Sequence, residues 1–183
     1  MKTFALMLLA AWPLATHAGW TSSDSESALE FIARYQDTEL PGRFRKFDVR
    51  LQFDPAAPQK ARLEVTVRVD SADMGDVDLN QGIAGADFFD FEHHPVARFV
   101  ATAIHQGADD DSFIAVGDLQ LKGRTRKIEV PFEWRQLPDH AEMQGTVDLE
   151  RGDFGIGSGA WAKDDTIAQR VEVRFRVTLH ATP

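Results

Sequence analysis

His93 and His94, with Asp90 and Glu92 beside them, are the residues of this chain best equipped to hold a metal ion. Zinc or copper would need several of these side chains to converge from one face. Neighbours on an extended strand project to opposite faces, and Pro95 marks a turn, so the cluster reads as a solvated loop and no metal site is assigned. Asp109-Asp110-Asp111 offers oxygens for calcium but lacks the glycine and bidentate glutamate spacing of a dedicated loop, and it reads as a polar hairpin tip. Gly155-Ile156-Gly157-Ser158-Gly159 imitates a phosphate-cradling loop, yet no βαβ unit surrounds it and its third glycine falls too early for the dinucleotide fingerprint. Asp153-Phe154-Gly155 imitates a kinase metal motif without a catalytic-loop partner, and Ser158 lacks the glycines of a nucleophile elbow. No catalytic residues are assigned.

Composition removes further classes of chemistry. The chain has 183 residues, 20 Lys+Arg against 29 Asp+Glu, and a net charge of -9. That balance argues against a dedicated nucleic-acid binder, whose affinity rests on cations neutralising phosphates. Cys is 0, which excludes disulfides, thiolate-held zinc, iron–sulfur clusters and thiol nucleophiles. Phe outnumbers Tyr 13 to 1, so aromatic bulk is placed where a hydroxyl is not wanted. Phe88, Phe89 and Phe91 concentrate that bulk, either as a plug or as the lining of an apolar entrance.

The elements that must position these groups are mostly strands. The first stretch is set apart: Lys2, the apolar run Phe4–Leu14, and small residues at Thr16 and Ala18 predict a secretory signal peptide over residues 1–18, cleaved before Gly19. The run is too short to span a membrane, so no stable membrane anchor is expected. Residues 19–183 then form a single domain. Period-two alternation recurs in Ala61–Asp70, Lys127–Arg135, Ala141–Glu150 and Arg170–His180, and also in Phe44–Phe53. Each run has one dry and one wet face, as a half-buried antiparallel strand does. Less regular runs at Ala28–Tyr35, Val96–His105 and Phe113–Leu121 bring the count to eight. Asp76–Ala86 breaks the pattern with Val77, Leu79 and Ile83 at near-helical spacing behind an Asp76 or Asp78 cap, predicting one short helix between strands three and four. Eight long strands with one apolar face close either as a sandwich or as an inward-facing barrel. Short connections favour an all-β, eight-stranded antiparallel barrel, a size whose interior holds one small ligand.

Four spaced motifs resemble the YceI-like family: Gly42-Arg43-Phe44; Asp87-Phe88-Phe89-Asp90 with Pro95 and Phe99; Gly117-Asp118-Leu119 through Gly123 and Thr125; and Arg151-Gly152-Asp153-Phe154-Gly155. Trp20 and the strand through Phe31 fit the family's opening pattern. The resemblance implies a lipocalin-like barrel, exported to the bacterial periplasm, that holds an isoprenoid or similar amphiphile such as a polyprenyl phosphate, a quinone or a fatty amide. It implies a non-enzymatic carrier with no cofactor beyond that lipid, and a homodimer is compatible with it. The candidate pocket residues are Phe31, Phe47, Val67, Phe88, Phe89, Phe99, Leu119, Phe132, Phe154 and Trp161. Arg43, Arg151 and Lys163 are the headgroup candidates, although an Arg151–Asp153 ion pair bracing the strand exit is a competing role. Two rival readings stand beside the carrier. An enzyme in the same barrel would need two inward titratable groups with opposed pKa shifts. A barrel filled by its own Phe132, Trp134 and Phe175 would bind nothing.

Overall fold

The computed structural model describes residues 19–23, 25–162 and 166–182; the leader 1–18 and Lys163 lie outside the described residues. The chain forms β1 (Gly19–Ser22), β2 (Ala28–Tyr35), β3 (Thr38–Phe44), β4 (Phe47–Gln52), β5 (Arg62–Arg68), β6 (Ala72–Asp73), α1 (Val77–Ala84), β7 (Val96–Gln106), β8 (Ser112–Leu121), β9 (Arg124–Gln136), β10 (Ala141–Glu150) and β11 (Arg170–Ala181). All pairings are antiparallel, in the order β1-β4-β5-β7-β8-β9-β10-β11, and β1 returns to pair with β11. The result is a closed eight-strand barrel. Two further strands, β2 and β3, continue its wall beyond β11, ending on β6.

Three of the alternating runs are broken, and the breaks lie side by side. β1 pairs with the end of β11 and β2 with its beginning, so residues 23–27 step aside between them. Side-chain hydroxyls replace the missing ladder there: Ser22 Oγ accepts from Val49 N at 2.9 Å and Ser27 Oγ from Thr178 N at 3.1 Å. The second break, at Arg45 and Lys46, is met by the carbonyl and hydroxyl of Ser71, which sits in the third break. Because three runs ahead of it are divided, α1 follows the sixth strand and precedes β7.

Capping and burial fit the reading of α1. The Asp76 side chain accepts from Asp78 N at 2.9 Å and Leu79 N at 3.0 Å, an N-cap. Ile83 is buried, whereas Leu79 is 37% and Val77 80% exposed, so the helix is anchored mainly at its end. Asp73 ties it down by accepting from Asn80 Nδ2 at 3.0 Å. That bond, with Gly75 N and Arg45, holds the Asp73 carboxyl well below the usual carboxylate range.

Inside the barrel, packing is uneven. Around β1 the interior is solid: Trp20, Leu51, Phe53, Ile104, Phe113, Trp134, Ala141 and Leu179 are all buried. Phe53 meets Phe113 edge-on at 4.9 Å and Trp134 at 5.0 Å, and Trp134 meets Trp20 at 5.4 Å. Such edge-to-face contacts add to plain area burial. Aromatic filling of the interior is therefore real but confined to one end.

β7 carries a bulge between Ala101 and Ala103, which presses its backbone onto β8. A Cβ on Gly117 would stand 2.2 Å from the Val100 oxygen and 2.7 Å from the Ala101 Cα. Backbone atoms in a paired strand cannot yield that space. Gly117→Val is expected to destabilise by about 2–4 kcal/mol, lowering the melting temperature by roughly 5–15 °C in thermal denaturation. A shift under about 2 °C would mean that the bulge relaxes freely.

Candidate functional site: a half-hollow barrel under a phenylalanine lid

Away from the solid end, the inward rows enclose a cavity of about 620 Å³. All ten pocket candidates line it: Phe31 on β2; Phe47 on β4; Val67 on β5; Phe99 on β7; Leu119 on β8; Phe132 on β9; and Phe88, Phe89, Phe154 and Trp161 from two loops above. The barrel rows arise from the period of two, which sends alternate side chains inward. Phe31, Phe99 and Phe132 are buried, while Val67 and Leu119 are only partly covered because they face empty space.

The first loop of the lid is the segment 86–91. These residues form turns, and Asp90 takes a left-handed φ of 55°. Phe88 and Phe89 therefore both face the cavity instead of opposing one another. Phe89 sits edge-on against Phe31 at 6.1 Å and Phe44 at 6.0 Å, and Phe88 lies 5.8 Å from Trp161. A second loop, residues 151–162, completes the cover and is stitched to the first. The Asp87 carbonyl accepts from Gly157 N at 2.7 Å and Ser158 N at 2.9 Å, and Ser158 Oγ reaches Asp87 Oδ1 at 2.8 Å. Lys122 Nζ donates to Ala86 O at 2.7 Å and Gly155 O at 2.9 Å, clasping both loops; burial lowers its pKa. His93 Nδ1 lies 2.8 Å from Asp90 Oδ1, and this carboxylate raises the imidazole's pKa while its own falls. The histidine–acid cluster thus fastens a turn. Among the described residues no group of three His, Asp or Glu is placed to hold a metal ion.

The headgroup candidates separate sharply. Arg43 projects outward, since Leu40 and Phe44 take the cavity side of β3, and it faces Asp73 at 3.4 Å. Lys163 is among the residues not described. Arg151 is 4% exposed and lines the cavity, yet its guanidinium is spent on the loop. It donates to the carbonyls of Ala168 (2.9 Å), Ile156 (3.0 Å), Gly157 (2.9 Å), Trp161 (2.6 Å) and Ile167 (2.7 Å). The bracing role holds, but it runs through five carbonyls in place of the expected Asp153 carboxylate. A planar, five-donor group suits that convergence, which lysine could not match.

Asp78, at the mouth, is the one carboxylate on the cavity wall among the described residues. The remaining wall is almost wholly hydrocarbon and aromatic. Such a space can solvate an apolar chain and offers no facing pair of acid and base.

Comparison with known proteins agrees with this architecture. Residues 20–179 match the YceI-like domain. A UPF0312 protein of Pseudomonas putida strain W619 is 30% identical over 175 residues, covering 87% of this chain and 90% of that protein. The crystal structure of Burkholderia cenocepacia BcnA superposes with a TM-score of 0.82 at 28% identity, covering 86% of this chain and 98% of BcnA. A domain from Saccharophagus degradans, described as polyisoprenoid-binding and implicated in plant cell wall breakdown, shares the fold at 15% identity with a TM-score of 0.70, covering 89% of this chain and 98% of that one. With the match running across nearly every strand of the barrel, the chain belongs to the YceI-like family.

Proposed function

We propose that this protein is a non-enzymatic carrier that takes a long isoprenoid or similar amphiphile, such as a quinone or fatty amide, into the hollow half of its barrel. The observation that carries the reading is the apolar cavity of about 620 Å³, walled by inward strand rows and covered by Phe88 and Phe89. Each methylene buried there contributes about 0.8 kcal/mol, so a chain of a dozen or so carbons offsets its own ordering cost without polar contacts. The polyisoprenoid-binding description of the Saccharophagus domain supports the ligand class by analogy of fold. The filled-barrel alternative loses ground because the filling stops at Trp134 and Phe53. Among the described residues the enzymatic alternative lacks the facing acid and base it requires.

Lys2, the Phe4–Leu14 run and the small residues Thr16 and Ala18 favour export, and with it a periplasmic carrier whose lipid is its only prosthetic companion. The test is organic extraction of gently purified protein followed by mass spectrometry. A single amphiphile near one per chain is expected. An extract free of lipid, together with failure of the stripped protein to take up a prenol, would overturn the carrier reading.

A further inference from the structure

The barrel wall has one seam without a ladder, a slot in its hydrogen bonding. β9 and β10 pair only from Gln136↔Ala141 to Glu133↔Gln144, although both strands continue well beyond. The cause is local. Pro131 has no N–H to give the ladder, and a Cβ on Gly145 would stand 2.3 Å from the Pro131 oxygen. From there β10 follows β11, pairing as far as Glu150↔Arg170. No ladder joins residues 124–132 to residues 145–150. Ile128 and Val130 on one side, and Val147 and Leu149 on the other, line the cavity behind this slot. At the lid end it is spanned by Arg124, whose Nη1 donates to Gly152 O at 3.3 Å.

The cavity-side row of β9 ends in two cations at this slot. Ile128 and Val130 are preceded on the same face by Arg126 and Arg124, which stand opposite Leu119 and Leu121 of the cavity wall. Both arginines are exposed. Arg126 donates to the carbonyl of its own neighbour, Thr125, at 3.0 Å. Among the described residues neither arginine makes an ion pair, and Asp148, across the slot, is already paired with Arg170. In a chain with an excess of nine acids, two uncompensated guanidiniums at the polar end of an apolar row are matched to an external anion.

We propose that Arg126, assisted by Arg124, binds the oxyanion headgroup, phosphate or carboxylate, of the chain held in the cavity, at the slot between β9 and β10. This rests on the carrier reading and narrows it to anionic amphiphiles. The test titrates dodecyl phosphate, laurate and uncharged dodecanol against protein preloaded with the neutral dye Nile red. Wild type is expected to bind both anions about tenfold more tightly than dodecanol. Arg126→Ala should erase that preference and leave dodecanol binding unchanged, which also shows that the variant is folded. Lys127→Ala removes the same charge from the opposite face of the same strand and should keep the preference. Equal wild-type affinity for anions and dodecanol, or loss of the preference in Lys127→Ala as complete as in Arg126→Ala, overturns the headgroup site alone. If no probe displaces the dye from wild type, the carrier reading itself fails, and the site with it.

Discussion

Arg151→Ala is expected to lower the melting temperature by about 10–20 °C. The side chain is 4% exposed and supplies donors to five carbonyls of residues 156–168. Each buried carbonyl left without a donor costs roughly 1–3 kcal/mol, and water entering the vacated space recovers only part of that. A net loss of about 4–6 kcal/mol follows, close to the whole stability of an ordinary domain. Arg151→Lys keeps the charge but has three donors, so it should recover less than half. Circular dichroism melts of the three proteins check this; an unchanged midpoint in Arg151→Ala would show that the 151–162 loop holds itself.

Leu119→Asp should weaken binding of a neutral amphiphile such as dodecanol about a hundredfold. A carboxylate on the cavity wall either stays ionised beside hydrocarbon or takes up a proton, and both outcomes raise the energy of the loaded state. The figure corresponds to about 2.7 kcal/mol. Gln120→Asp places the same group one residue along on the exposed outer face and should leave affinity unchanged. Comparable losses in the two variants would contradict the assignment of Leu119 to the wall.

The strand rows were legible because period two is a strong signal where one face is dry. Val171, Val173, Phe175, Val177 and Leu179 could be assigned inward from their spacing alone. β3 was hidden because Pro41 and Gly42 interrupt its alternation of apolar and polar side chains, yet Pro41 faces outward and Gly42 lies under the Phe31 ring. The same parity places Arg43 outside, so its exclusion from the pocket was implicit in the row Leu40, Gly42, Phe44. Periodicity says which face a residue takes but not how volume is shared along the barrel. Phe53 and Phe31 obey the same alternation, yet one packs a solid end and the other borders empty space. The slot was invisible for a related reason: strand pairing is a property of two segments, and nothing in Arg124–Val130 alone reveals that its neighbour stops pairing with it at Gly145.

The solid plug of Trp20, Phe53 and Trp134 makes the barrel a cul-de-sac instead of a pipe. In the proposed carrier, a tail entering from the lid side could not be drawn out at the far end and would have to reverse along its own path. Donor and acceptor would then be visited in turn, each at the same doorway, with no moment at which one molecule is shared between them. In that carrier tail length would also be rationed: whatever exceeds the depth of the blind end would stay outside, within reach of water and of an acceptor.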